Sequence, residues 1–195
     1  KYIMKRVIVL LAFMVVALTS YAQSNTEHLT FKGVPIKGSM AEFCQKLQTK
    51  GYTSIGREES AALFVGDFAG RHATIGVTAT DGGREVFAVV VFFDPSHEWN
   101  TLVSIYDYYK DLYSRKYGSP AVLKEVNPAY FDSNSALMAE LSEGTVVWAS
   151  LWEVAGGEIE LSIESTSEYC EGMIMICYRD AQNEEAKIQH DLEDI

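Results

Sequence analysis

Residues 85–120 read EVFAVVVFFDPSHEWNTLVSIYDYYKDLYSRKYGSP and hold the clearest secondary-structure signals in the chain. Every residue at 86–93 is apolar, which predicts a central strand that is covered on both faces or heavily flanked. A turn and a long helix follow, and either Asp94 or Ser96 can cap the first turn of that helix. Gly118 predicts the end of the helix, because glycine readily adopts the left-handed conformation found there.

The predicted helix carries one broad apolar stripe that is rich in tyrosine. Its members recur at spacings of three and four residues: Leu102, Ile105, Tyr106, Tyr109, Leu112, Tyr113 and Tyr117. We favour a core position for these tyrosines, with each hydroxyl reaching the rim of the sheet. The alternative is a surface that stacks on a ligand such as a sugar, and Tyr109 and Tyr113 are then the candidate ligand-binding residues.

The patterns on either side of this strand and helix predict an α+β fold with an antiparallel sheet. Ser39 and Glu42 form a capping box that starts a short helix. Strand patterns occur at about 61–68, 71–80, 86–93, 121–126, 145–154, 158–164 and 172–178. A helix followed by a meander occurs twice, over 28–93 and 97–180, which suggests a duplicated unit. Meanders with short turns imply helices packed mainly on one face, within a single domain at 23–195.

Residues 1–22 have the pattern of a secretory signal peptide. Basic residues precede an apolar run at 7–18, and Ser20 and Ala22 form a small-x-small cleavage pattern. The apolar run is shorter than a membrane-spanning helix normally requires. We therefore expect an exported protein, periplasmic or extracellular, whose mature chain at 23–195 has no stable membrane anchor. A retained N-terminal anchor is the alternative.

The chain is strongly acidic, and its charge is unevenly distributed. Its formal net charge is −11 at pH 7, and residues 121–195 hold three Lys or Arg against 16 Asp or Glu. Such a surface disfavours nucleic acid and anionic membranes as partners. It would attract a basic partner, although solubility alone is the commoner reason for an acidic surface.

Three cysteines, Cys44, Cys170 and Cys177, leave at least one thiol unpaired in an exported protein. Cys170 and Cys177 bracket one predicted strand of about 23 Å, and a disulfide allows only ~6 Å between Cα atoms. A bridge between Cys44 and Cys177 stays open, and three separate buried side chains are the simpler alternative. No Cys/His spacing typical of zinc occurs, and we predict no metal and no other cofactor.

The last meander contains four further candidate ligand-binding residues on two neighbouring strands. Glu158 and Glu160 alternate with apolar residues and belong on the exposed face of their strand. Trp148 and Trp152 belong to the preceding strand, and a suitable register would join all four side chains into an acidic-aromatic surface. Such a surface suits a cationic, sugar or peptide ligand. We favour the alternative of two core tryptophans and two solvated glutamates.

Motifs that carry known catalytic chemistry are absent from the sequence. The chain has no Gly-x-Ser-x-Gly, no His-Glu-x-x-His, no phosphate-binding glycine loop and no calcium loop. We therefore predict no catalytic residues and a protein without enzymatic activity. An uncharacterised hydrolase is the least favoured hypothesis.

Three long stretches resemble a recurring family of small exported proteins of Bacteroidetes-type bacteria. They are HLTFKGVPIKGSMAEFCQKLQTKGY at 28–52, VVVFFDPSHEWNTLVSIYDYYKDLYSRKYGSP at 89–120 and VVWASLWEVAGGEIELSIE at 146–164. The resemblance implies export and an α+β fold, but no activity and no site residue. In the order of its elements alone, the chain also resembles periplasmic inhibitor modules and PepSY-like modules.

Two functional hypotheses follow from these patterns. The first is an exported binding domain that takes a protein or peptide partner on its open sheet face or along a strand edge. An exposed apolar patch on that face would distinguish it. The second is a small-molecule carrier with a cavity between the sheet and the tyrosine-rich helix. The sequence does not indicate an oligomeric state.

Overall fold

A computed structural model of the protein, which describes residues 27–128, 132–166, 168–184, 188 and 192, has an eight-stranded sheet at its centre. The elements in chain order are β1 (Thr30–Phe31), β2 (Val34–Pro35), α1 (Met40–Thr49), β3 (Thr53–Arg57), β4 (Ala61–Phe68), β5 (Arg71–Ala79), β6 (Val86–Phe92), α2 (Trp99–Tyr117), β7 (Val122–Val126), α3 (Asn134–Ser142), β8 (Val147–Val154), β9 (Gly157–Ser165) and β10 (Gly172–Asp180). Every strand pair is antiparallel, and β1 and β2 form a separate hairpin. The predicted α+β class is confirmed.

The two halves of the chain meet in the middle of the large sheet. Its strand order is β3-β4-β5-β6-β10-β9-β8-β7, so each half contributes one four-stranded meander. The last strands of the two meanders, β6 and β10, pair with each other, and Cys177 lies opposite Val90. A helix precedes each meander, α1 before β3 and α2 before β7, and α3 is an insertion between β7 and β8. This order is the one expected of a duplicated unit, and the duplication itself stays a prediction.

Helices α1, α2 and α3 pack on one face of the sheet. Helix α1 contacts β3, β4 and β5, whereas α2 contacts β8, β9 and β10, and α3 contacts β9, β10 and α2. Strand β6 is central, as predicted, but the helices cover only one of its faces. Val89 and Val91 are fully buried on that side, and Val90 and Phe92 are half-buried on the other. Of the two alternatives predicted for this strand, the structure shows the second, because β6 is flanked by β5 and β10 and is covered by these helices on one face.

Helix α2 begins later than predicted and is capped from another part of the chain. It starts at Trp99, and no side chain of the preceding turn, including Asp94 and Ser96, caps it. The backbone N–H of Trp99 donates instead to the Asn134 side-chain oxygen at 2.6 Å, at the start of α3. The end at Gly118 is confirmed, with a φ of 88° and an N–H that donates to a helix carbonyl.

A buried polar network fastens the N-terminal hairpin to the end of β10. The Asp180 carboxylate is fully buried and accepts the backbone N–H of Leu29 at 2.8 Å and that of Asn183 at 3.1 Å. The Asn183 amide donates to the Val86 carbonyl at 2.9 Å. Asp180 thus caps the helical residues 181–184, as predicted. Most of the predicted extension of that helix lies outside the described residues.

The three cysteines are free thiols, with Cys44 and Cys177 buried and Cys170 half-buried. Cys44 belongs to α1, on the helix-covered side. Cys177 lies between two residues whose side chains face the helices, so it points to the other face. Because the sheet separates these two thiols, the bridge that the sequence left open does not form.

The signal peptide predicted at 1–22 lies outside the described residues. Over the part of the chain that the structure describes, no helix combines the length and hydropathy that a bilayer crossing needs. This observation leaves the predicted export as an expectation.

Candidate functional site

The sheet face opposite α1, α2 and α3, here called the open face, is apolar at its centre. Strand alternation and register place six half-buried side chains there: Val65, Val90, Phe92, Leu151, Met173 and Met175. A solvent-facing side of an antiparallel sheet normally alternates to polar residues. The apolar centre departs from that rule and is the kind of patch that marks an interaction site.

The apolar centre extends beyond β6 because a glycine on β5 leaves room for its neighbours. A methyl group placed on Gly76 would lie 3.3 Å from the Phe92 ring and 3.9 Å from the Leu63 side chain. The three residues therefore form one continuous surface across β4, β5 and β6. Leu63 is 44% exposed, which makes it the most accessible leucine of this surface.

A charged cluster borders the apolar centre on β9 and β10. The Arg179 guanidinium donates to Glu158 at 2.7 Å and to Glu160 at 2.7 Å, through different nitrogens. One cation thus holds two carboxylates in a fixed geometry. Glu164 lies further along the same face of β9 and is exposed. The cluster keeps a net negative charge, since its carboxylates outnumber its one arginine.

Two polar side chains at the middle of the open face lack the features of nucleophiles. Burial raises the pKa of Cys177 to about 11, so this thiol is protonated at neutral pH. Ser162 is only 2% exposed, and its hydroxyl has no partner of hydrogen-bond geometry within the described residues, although it lies near the Glu164 carboxylate and partly offsets the desolvation that raises the pKa of that group. An activated serine needs an adjacent base, so neither side chain is poised for covalent catalysis. The described residues also contain no group of three or more potential metal ligands.

The predicted acidic-aromatic surface does not form. Glu158 and Glu160 lie on the open face, as predicted, but Trp148 and Trp152 point to the opposite, helix-covered face, because their cross-strand partners are Ile163 and Ile159. Trp152 is 1% exposed and donates its indole N–H to the Gly118 carbonyl at 3.0 Å. The favoured alternative of core tryptophans is confirmed for Trp152, while Trp148 is half-buried under α2.

Tyr109 and Tyr113 belong to α2 and are buried between this helix and the sheet, which confirms the favoured core interpretation. The Tyr109 hydroxyl donates to the Phe68 carbonyl at 3.3 Å, and the hydroxyls of Tyr113 and Tyr178 bond to each other. Burial raises the pKa of Tyr109 to about 12 and also raises that of Tyr113, so both phenols stay neutral at physiological pH. Their hydroxyls meet the sheet as predicted. A role in ligand binding stays a prediction for both.

These tyrosines also line a surface groove between α2 and the β1–β2 hairpin, here called the tyrosine groove. Its volume is about 240 Å³. The aromatic residues of its wall are Phe68, Tyr109, Tyr113, Tyr117 and Tyr178. Lys32 and Lys116 also line it, and both side chains are exposed, so they stand at the rim. The groove is open to solvent and differs in this from the cavity predicted for a carrier.

Sequence analysis missed the apolar centre of the open face and the two rim lysines. The sequence did contain a signal for the apolar centre. Strands β6 and β10 are apolar on both faces, whereas helices were expected mainly on one face of the sheet. No comparable signal exists for Lys32 and Lys116. They belong to a hairpin turn and to a helix end far apart in the chain, and only the fold brings them together.

Comparison of the chain with protein-family models, with curated proteins and with solved structures gives no match. The functional assignment therefore rests on the geometry and chemistry of the two surfaces described above.

Proposed function

We propose that the protein is an exported binding domain without enzymatic activity, and that its open face takes an apolar protein segment flanked by Lys or Arg. The observation that carries the proposal is the apolar centre of the sheet face opposite α1, α2 and α3. Val90, Phe92 and Met175 lie side by side there, half-buried, on the two central strands.

The composition of this surface suits a protein partner. Interfaces have an apolar core with a polar rim, and aromatic residues and Met are enriched in that core. Met173 and Met175 add flexible side chains that adapt to the shape of a partner. The unpartnered Ser162 hydroxyl lies beside them, opposite Met175. A polar backbone group of the partner would satisfy this hydroxyl and relieve the penalty of its burial.

The charge of the rim favours a basic partner over a second copy of this chain. Glu153 lies directly opposite Glu158 across β8 and β9, and Arg179 is already engaged by Glu158 and Glu160. Two open faces packed together would bring these carboxylates against each other, which opposes association. A segment with Lys or Arg at its ends would instead complement them.

The experiment is selection of a displayed random peptide library against the protein of residues 23–195. We expect enriched peptides to combine an apolar stretch with Lys or Arg, and their affinity to fall as salt concentration rises. Leu63→Asp on the open face should weaken binding by at least about tenfold. The matched control is Leu123→Asp, since Leu123 is also an exposed leucine but lies on the other face, opposite Ser150.

Three outcomes would overturn the proposal. Enriched peptides could be acidic or lack an apolar stretch. Leu63→Asp and Leu123→Asp could weaken binding equally, which would place the site elsewhere. A dimer in light scattering that Leu63→Asp dissociates would assign the open face to self-association.

The second hypothesis, a small-molecule carrier, needs an enclosed cavity between the sheet and α2. In the described residues this interface is filled by Tyr106, Tyr109 and Tyr113, which are buried against the sheet. The solvent-open tyrosine groove lies at its edge. The carrier stays a prediction, and the groove favours reversible binding at the surface.

A further inference from the structure

We propose that the tyrosine groove is a separate binding site for a small aromatic carboxylate, a ligand with one flat ring and one anionic group. The groove lies on the helix-covered side of the molecule, away from the open face. The proposal is therefore independent of the protein-binding role of the open face.

The residues that line the groove favour a ligand with an aromatic ring. Tyr109 and Tyr113 of α2 pack against Phe68 and Tyr178 of the sheet, with ring centroids 6.3 and 6.4 Å apart, so these rings form a continuous aromatic floor. A flat ring packs well on such a floor by offset or edge-to-face contact. Ligand pockets for drug-sized molecules usually exceed roughly 300 Å³. A groove of about 240 Å³ therefore suits a single-ring compound.

The lysines at the rim favour a ligand with a negative charge. The Lys32 ammonium lies 5.7 Å above the Phe68 ring, and the Lys116 ammonium lies 4.7 Å above the Tyr117 ring. Neither lysine forms an ion pair with a carboxylate of the described chain, and no Asp or Glu lines the groove. In a protein of net charge −11 this cationic, carboxylate-free rim is unusual and suits an anion.

A third cation extends the same positive region. Arg71 lines a shallow depression next to the groove, together with Ala69, Gly70 and Tyr108. Ala69 also lines the groove itself, so the two are continuous. The charge of Arg71 reaches the phenol of Tyr109, because it partly offsets the rise that burial causes in the pKa of that group. An anion at the rim would therefore meet positive potential from three side chains.

The two turns beside the groove are conformationally strained. Lys32 has a φ of 52° and Ala69 a φ of 44°, in the left-handed region that favours glycine or asparagine. A side chain with a Cβ atom is less favourable there than glycine. Strain of this kind is retained where the surrounding structure enforces it, often at ligand sites. At Lys32 the turn brings the ammonium group over the groove.

The hydroxyl groups in the wall argue for an aromatic ligand rather than a sugar acid. The hydroxyls of Tyr109, Tyr113 and Tyr178 are already hydrogen-bonded within the fold. A sugar carries many hydroxyls that need partners, and these phenols would have to give up their own bonds to serve them. An aromatic ring has no such requirement, and its carboxylate finds Lys32 and Lys116 at the rim.

The test is titration of the protein of residues 23–195 with phenylacetate, its neutral amide and glucuronate, followed by ligand-observed NMR and calorimetry. We expect the carboxylate to bind, the amide to bind at least about fivefold more weakly, and added salt to reduce the difference. The double variant Lys32→Gln/Lys116→Gln should lose at least about tenfold in affinity for the carboxylate. The matched control is Lys46→Gln/Lys50→Gln, which changes two exposed lysines at the end of α1.

Each remaining outcome overturns the proposal. If the amide binds as tightly as the carboxylate, the lysines do not contribute to recognition. If glucuronate binds more tightly than the aromatic carboxylate, the site prefers a sugar acid. Absence of binding at millimolar ligand, in a protein shown to be folded by circular dichroism, would reject the site. Leu63→Asp on the open face should leave this binding unchanged, so failure here and failure of the protein-binding proposal are distinguishable.

Discussion

At the scale of single residues, two buried serines show how the same side chain serves different ends on the two faces of one sheet. Ser150 on β8 is fully buried on the helix-covered face, where its hydroxyl bonds to the Tyr106 hydroxyl at 2.6 Å. Ser162 on the neighbouring strand is equally buried on the open face, but its hydroxyl is unpartnered. An unsatisfied buried hydroxyl is tolerated where something else is gained from it. Contact with a partner is that gain under our proposal.

The contrast between Ser150 and Ser162 leads to a prediction about the stability of two alanine variants. Ser150→Ala should lower the free energy of unfolding by about 1–3 kcal/mol, because it leaves the buried Tyr106 hydroxyl without a partner. Ser162→Ala should leave the stability unchanged or raise it by up to about 1 kcal/mol, since it removes a polar group that is buried at a penalty. Urea denaturation of both variants measures the difference. Equal destabilisation would mean that the Ser162 hydroxyl has a partner in solution.

The candidate site residues were predictable only as far as local pattern extends. Alternation placed Glu158 and Glu160 correctly on the open face, because the side-chain period of a strand is a local property. Whether these glutamates share a surface with Trp148 and Trp152 depended on the register of β8 on β9, and the structure shows that they do not, in agreement with the core position favoured for the tryptophans. Register depends on how the whole sheet assembles, and a shift of one residue exchanges the faces.

At the scale of elements, helix α2 is both the main support of the second half-sheet and one wall of the tyrosine groove. Its stripe and its end at Gly118 followed from spacing alone. Its beginning did not, since the Asn134 side chain that receives the Trp99 N–H comes from another helix. Capping residues are normally sought next to the helix they cap. A cap supplied from a distant element carries no local signal.

The tyrosines of α2 predict a loss of stability in alkali. Burial raises the pKa of Tyr106 and of Tyr109 to about 12, against about 10 in the unfolded chain. The unfolded state therefore releases protons first, so stability is fully present below about pH 10 and falls as pH rises toward 12. Each such phenol should contribute a loss of up to about 1.4 kcal/mol per pH unit in that range.

Urea titrations at several pH values, with phenolate absorbance recorded in parallel, test this prediction. Tyr106→Phe should reduce the slope of the unfolding free energy against pH by the contribution of about one proton. The same substitution also lowers stability at neutral pH. Folded protein in which every phenol titrates near pH 10 would contradict the burial of the stripe.

At the scale of the whole molecule, the two halves of the chain build one sheet with unlike faces and unlike charges. The helices cover one face, and the tyrosine groove with its lysines lies at the edge of that side. The other face is open, apolar at the centre and acidic where β9 and β10 meet. The acidic excess of residues 121–195 is thus partly concentrated on the surface that we propose meets a basic partner.

The charge imbalance predicts a stability that depends on salt. At neutral pH the net charge is −11, and the excess carboxylates repel one another in the compact state. Sodium chloride screens this repulsion and should therefore raise the urea midpoint of unfolding. The same salt series near the sequence pI of about 4.8 is the control, because the net charge vanishes there and the shift should disappear. An equal shift at both pH values would mean that salt acts through exclusion from the surface instead.

The sequence by itself determined the class of the fold, the capping of α1 by Ser39, the end of α2 and the face of β9 that carries glutamate. All of these depend on neighbours within a few residues, where period, capping and turn chemistry operate. Only the tertiary structure decided that Trp148 and Trp152 lie on the face opposite to Glu158 and Glu160, and that Lys32 and Lys116 line the same groove. These features depend on strand register and on the packing of distant elements, which no local pattern encodes.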